Sequence, residues 1–168
     1  MKSLSCLLLS VLVVLLSEVS CENERSLAGS VVSRSDCKSS KSFSKGAETE
    51  DTLSCINYTY DSYSKKLALD HINAAFNCCP GKVTCKASIS GDTVIIKELE
   101  SAPMCDCDCL FDLKMSFEGL DKQTYFIKII EPYAGDQEEL FFAVDFRHVP
   151  EGSFCVTRKQ YPWGMSLF

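Results

Sequence analysis

Cys105-Asp106-Cys107-Asp108-Cys109-Leu110-Phe111-Asp112-Leu113-Lys114-Met115-Ser116-Phe117-Glu118 alternates along its length. Cys105, Cys107, Cys109, Phe111, Leu113, Met115 and Phe117 fall on one side, and Asp106, Asp108, Asp112, Lys114, Ser116 and Glu118 on the other. Leu110 is the one apolar residue on the polar side. A β-strand repeats every two residues, so the pattern predicts one half-buried strand with three sulfurs facing a core. Positions two apart on a strand have α-carbons about 6.5 Å apart. That is close to the widest spacing a disulfide bridges, about 6.8 Å. Cys105, Cys107 and Cys109 are therefore not expected to pair among themselves, and each asks for a partner on another segment.

The compartment follows from the other end of the chain. Met1-Lys2 is followed by an almost wholly apolar run from Leu4 to Leu16. The run falls short of the roughly 20 residues that cross a bilayer, and residues 1–21 read as a secretory signal peptide. Ser20-Cys21 is a candidate lipoprotein junction with Cys21 as the lipidated residue, although Glu18 stands where an aliphatic residue is usual. Ordinary cleavage beside the same small residues is the alternative. The chain has eleven cysteines. Cys6 leaves with the signal, and export makes disulfides the default for Cys37, Cys55, Cys78, Cys79, Cys85, Cys105, Cys107, Cys109 and Cys155. That set is odd in number, so at least one must remain a thiol or pair outside it. Cys78 and Cys79 are neighbours that face opposite ways on a strand, so they should serve different partners.

Residues 22–54 are serine-rich, mix charges of both signs and hold Phe43 as their single aromatic, which reads as a tether. Residues 55–168 carry the domain. Cys55–Tyr60 is a short strand. Lys66–Asn77 reads as a strand with a bulge near Asp70, against a helical reading through Leu69, Ile72, Ala75 and Phe76. Val83, Cys85, Ala87 and Ile89 alternate, as do Val94 and Ile96, then Tyr125, Ile127 and Ile129, then Leu140, Phe142, Val144 and Phe146. His148 continues that last inward set. Phe154–Thr157 closes the series. Six to eight short strands with turn residues between them predict an all-β fold: a disulfide-cross-linked antiparallel β-sandwich, immunoglobulin-like or similar, with a small barrel as the runner-up.

The net charge of −6 argues against nucleic acid and against docking on anionic lipid, so membrane contact is expected only through a lipid on Cys21. The structural role of the cysteines is a stapled core. The sharper reading is a copper or zinc thiolate site built from Cys78, Cys79, Cys85, Cys105, Cys107 and Cys109 with His71. Their spacing does not match a paired zinc knuckle, and no cofactor is expected. His71 and His148 lack the sequence context of a Cys/His nucleophile. Glu131, Asp136, Glu138 and Glu139 read as a solvated turn around Gly135, and Asp106, Asp108 and Asp112 as solubilising charges. Tyr161 and Trp163 are candidates for contact with a protein or glycan partner.

Taken together, His71-Ile72-Asn73-Ala74-Ala75-Phe76-Asn77-Cys78-Cys79-Pro80, Cys105-Asp106-Cys107-Asp108-Cys109-Leu110-Phe111-Asp112-Leu113 and Glu131-Pro132-Tyr133 resemble a group of bacterial cysteine-rich secreted proteins or lipoproteins. The resemblance covers residues 55–164. It implies export and brings no catalytic residue with it. The expectation is an exported, non-catalytic binding or cell-envelope protein. A thiolate metal binder is the alternative and an extracytoplasmic hydrolase the second alternative.

Overall fold

The structure, a computed structural model, describes residues 24–38 and 52–159. The expected signal peptide (residues 1–21), with Cys21, and Tyr161 and Trp163 lie outside them. The described residues contain nine strands and no helix. They are β1 (Arg25–Arg34), β2 (Leu53–Asp61), β3 (Lys66–Asn77), β4 (Val83–Ser90), β5 (Thr93–Glu100), β6 (Asp108–Glu118), β7 (Thr124–Ile130), β8 (Leu140–Asp145) and β9 (Glu151–Thr157). Their spatial order is β8-β7-β5-β4-β1-β6-β3-β2-β9. The sheet is mixed, because β5 and β7 run parallel while the other neighbours are antiparallel. It curls into a nearly closed barrel whose two edge strands approach through the stacked rings of Phe142 on β8 and Phe154 on β9, 4.8 Å apart.

The all-β expectation holds, but not as two separate antiparallel sheets. β1 runs through both halves. Its first residues, Arg25–Leu27, pair with β4, and Ala28–Arg34 pair with β6. One strand therefore stitches β8-β7-β5-β4 to β6-β3-β2-β9, as strands at the corners of curled sheets do. The core fills the space between, with Ile56, Leu67, Leu69, Val94, Ile96 and Ile127 all fully buried. The predicted alternations at Tyr125, Ile127 and Ile129 and at Leu140, Phe142, Val144 and Phe146 face this core.

Residues 22–54 are not a tether throughout. β1 lies inside that span and in the middle of the sheet. Its inward positions are Leu27, Gly29 and Val31, and the middle one has no side chain. Phe117, opposite Gly29 in the β1–β6 register, fills the gap from the neighbouring strand. A Cβ on Gly29 would stand 2.1 Å from the Phe117 ring. The alternation is thus completed by another strand's side chain, and composition alone conceals it.

Two other expectations change. β6 starts at Asp108, so Cys105 and Cys107 lie before the strand; Cys107 is exposed and Cys105 half-buried, while Cys109 is buried. Leu110, the apolar exception, is fully buried against Ala75 under Tyr133. In β3 the bulge falls between His71 and Ala74 rather than at Asp70. Asn73 takes φ 63° there, a conformation asparagine tolerates better than most residues. Its side chain donates to the Leu53 carbonyl at 2.7 Å and accepts from Lys38 at 2.8 Å. The bulge flips the phase of the strand. Leu67, Leu69 and His71 face the main core before it, and Ala74 and Phe76 pack into a second cluster with Val83, Phe111 and Leu113 after it.

Candidate functional site

Two groups of chemically capable side chains emerge, one of sulfurs where β3 ends and β6 begins and one of buried charges inside the barrel. The sulfur group follows from the β3–β6 ladder. Phe76 opposes Cys109 and Asn77 opposes Asp108. The pairing carries on past the strand ends, with Cys78 N donating to Cys107 O at 2.8 Å. Asn77 locks the two segments together. Its Oδ1 accepts from Cys79 N at 2.9 Å and Cys105 N at 3.3 Å, and its Nδ2 donates to Cys105 O. After β1, Ser35 and Lys38 donate their backbone N–H groups to Asp112 and Leu110, which lays Cys37 along β6.

Eight of the nine candidate cysteines consequently stand in pairs at disulfide distance. The pairs are Cys37–Cys109, Cys78–Cys107 and Cys79–Cys105, with α-carbons 5.6, 5.6 and 5.5 Å apart, and Cys55–Cys155 across β2 and β9 at 4.1 Å. Cys78 and Cys79 serve different partners, and none of Cys105, Cys107 and Cys109 pairs with another of the three. Three of the four bonds cluster at one corner. There the sulfurs of Cys37, Cys78 and Cys109 lie within 4.8 Å of one another. Among the described residues Cys85 is the free thiol. Burial, with the charge of Glu98 adding to it, pushes its pKa up to about 11, so at neutral pH it is neither a ready nucleophile nor a ready ligand. The seven-residue metal set therefore does not converge. Cys79 and Cys105 close on each other, while Cys85 and His71 lie with the buried charges.

That second group was only partly visible in sequence. His71 on β3 is fully buried. Its Nδ1 lies 2.7 Å from Glu98 Oε1, its Nε2 2.9 Å from Ser54 Oγ and 3.7 Å from Glu131 Oε1. Glu131 in turn accepts from Arg158, which also donates to the Glu138 carbonyl at 2.9 Å. Glu98 and Glu131 continue the inward parity of Val94 and Ile96 and of Ile127 and Ile129. That period-two signal was the one available for finding them. Glu131 is thus not part of a solvated turn: its side chain is 2% exposed, while Asp136, Glu138 and Glu139 are exposed. His148 is also misplaced by parity. β8 ends at Asp145, and the turn puts His148 in solvent with Nδ1 2.8 Å from Asp145.

Ser54, His71 and Glu98 stand in the order of a serine–histidine–acid triad. Burial alone would lower the His71 pKa, but Glu98, by charge and hydrogen bond, and then Glu131 outweigh it and raise the value. In its protonated form the His71 ring donates from both nitrogens, and Ser54 Oγ accepts a hydrogen bond from it. Glu131 is itself pushed up, chiefly by burial, against the opposing charges of His71 and Arg158. Ser54 and His71 have no exposed surface. The group acts as an internal charge network spanning β2, β3, β5 and the ends of β7 and β9.

No described helix is long and apolar enough to cross a membrane. Comparison of the chain with family models, with curated proteins and with solved structures gives no match.

Proposed function

We propose that this protein is an exported, non-catalytic binding or envelope module whose barrel-like sheet is a rigid, disulfide-stapled platform. The observation that carries the reading is the closing of eight cysteines into four pairs at disulfide distance. Such pairing is consistent with an oxidising, extracytoplasmic environment. The apolar leader of residues 1–21 and the resemblance to bacterial cysteine-rich secreted proteins or lipoproteins support the same address, with Cys21 as the lipid anchor. In this reading the two runs of strands that share β1 act as the facing layers of a sandwich around the main core. A protein or glycan partner is met by Tyr161 and Trp163. The outer face of β7 and β8 supports a binding role as well: Phe126 and Phe141 stack there at 5.5 Å while remaining 37% and 47% exposed.

A second reading, a copper or zinc thiolate protein, is favoured by the convergence of the Cys37, Cys78 and Cys109 sulfurs. One experiment separates the two. The full chain is secreted with its own leader, alkylated under denaturing conditions without reduction and weighed intact. The module reading expects one alkylated cysteine among residues 24–159, at Cys85, and lipid mass on Cys21. Several thiols that become reactive after treatment with a chelator would replace it with the metal reading.

A further inference from the structure

We propose that Cys107, Cys78, Cys109 and Cys37 form a thiol–disulfide exchange relay that accepts a thiol at Cys107 and delivers a free thiol at Cys37. The inference rests on the disulfide pairing and adds a reactivity to it. Two bonds, Cys78–Cys107 and Cys37–Cys109, lie side by side, and the sulfurs of Cys37, Cys78 and Cys109 lie within 4.8 Å of one another. The Cys78 sulfur therefore has two possible partners within reach. Exposure is graded along the line. Cys107 and Cys37, at its ends, are exposed; Cys78 is half-buried and Cys109 buried among Ala74, Phe76, Val83 and Phe111.

Exchange proceeds by attack of a thiolate on a disulfide sulfur and requires access at the first step and contact at the second. An external thiolate, from a small thiol or a cysteine of another exported protein, attacks Cys107 Sγ. A mixed disulfide forms on Cys107, the Cys78–Cys107 bond breaks, and Cys78 leaves as a thiolate. Cys78 then attacks Cys109 Sγ. The Cys78–Cys109 bond forms, the Cys37–Cys109 bond breaks, and Cys37 leaves as a thiolate that takes a proton from water. One thiolate has entered and one has left, so no net oxidant or reductant is required. The internal exchange joins a half-buried sulfur to a buried one, and the new thiol appears on the segment that follows β1.

The test is Cys107→Ser in the secreted full chain, which leaves Cys78 without its partner. After alkylation without reduction, peptides are mapped and the label located by fragmentation. The relay predicts a Cys78–Cys109 bond with the label on Cys37. Label on Cys78 with Cys37–Cys109 intact overturns it. Cys105→Ser is the control, with its released thiol expected to stay on Cys79. If Cys107→Ser is not secreted, unmodified protein is treated with substoichiometric glutathione, quenched in acid and mapped. Glutathione on Cys107 together with a free Cys37 supports the relay, and glutathione on Cys107 together with a free Cys78 overturns it. Cys85, free throughout, serves as the internal reference.

Discussion

His71 carries more of this fold's electrostatic balance than any pattern of strands would suggest. It sits fully buried, with Glu98, Glu131 and the Ser54 hydroxyl around it and Arg158 behind Glu131. Replacing it with glutamine keeps the size and a hydrogen-bonding end but removes a group able to carry positive charge between two buried carboxyl groups. Breaking a buried ion pair on one side costs about 3–5 kcal/mol, and His71→Gln should lower the urea midpoint by a corresponding amount. The sign with pH is also set. His71 has a folded pKa raised above its ordinary 6.5, so its contribution is complete below that pH and is lost as pH rises through the folded value. Glu131, raised from 4.5, likewise favours the folded state less as pH rises past its ordinary value. Stability should therefore fall from mildly acidic to alkaline pH, and His71→Gln should flatten the curve above pH 6.5. Parallel midpoint-versus-pH curves for the two proteins would contradict the assignment.

Among the elements, β1 is the one whose sequence conceals its importance. Arg25-Ser26-Leu27-Ala28-Gly29-Ser30-Val31-Val32-Ser33-Arg34 has the composition of a polar linker, and only Leu27 in it is buried. Its place depends on Phe117 lying across Gly29, a cross-strand filling of the kind that rescues glycine in sheets. The same device recurs where Tyr58 covers Gly152 between β2 and β9. A valine at Gly29 has high strand propensity yet collides with the Phe117 ring and the Ser116 carbonyl. Gly29→Val should destabilise by about 1–3 kcal/mol, the usual cost of overpacking, whereas Val32→Thr on the exposed side of β1 should be nearly neutral. Chemical denaturation of the two variants checks both, and equal midpoints would show that β1 does not pack as described. β3 teaches the complementary lesson. Its change of phase was legible from Leu67 and Leu69 against Ala74 and Phe76, but the bulge sits at Asn73, where Lys38 and Leu53 hold the side chain.

At the scale of the whole molecule, β1 joins the two halves of the sheet, and the edge strands β8 and β9 come back together across the core. Removal of β1 exposes the edges of β4 and β6 at once. A chain that starts at residue 36 should accordingly fail to give a compact monomer. Circular dichroism and size-exclusion chromatography of that truncation, beside a chain that starts at residue 22, test this, and a folded monomer of normal midpoint would restore the tether reading of residues 22–54. The parallel β5–β7 pair was beyond sequence reasoning for the same reason. Each strand's alternation states which face is dry and says nothing about which neighbour it meets.

Local pattern was enough to establish the all-β class, most strand positions and the inward residues of β5, β7 and β8, because a half-buried strand writes its burial into every second residue. It also established that Cys105, Cys107 and Cys109 need distant partners, because chain geometry forbids easy bridging between them. Only the folded chain decided that β1 is a strand, that the sheet curls into one mixed barrel-like order, and that Glu98, Glu131 and Arg158 meet His71. Those outcomes depend on contacts between residues far apart in sequence: a phenylalanine filling a glycine's place, a bulge resetting a strand's phase, charges that become bearable in a core only when opposite ones arrive from other strands.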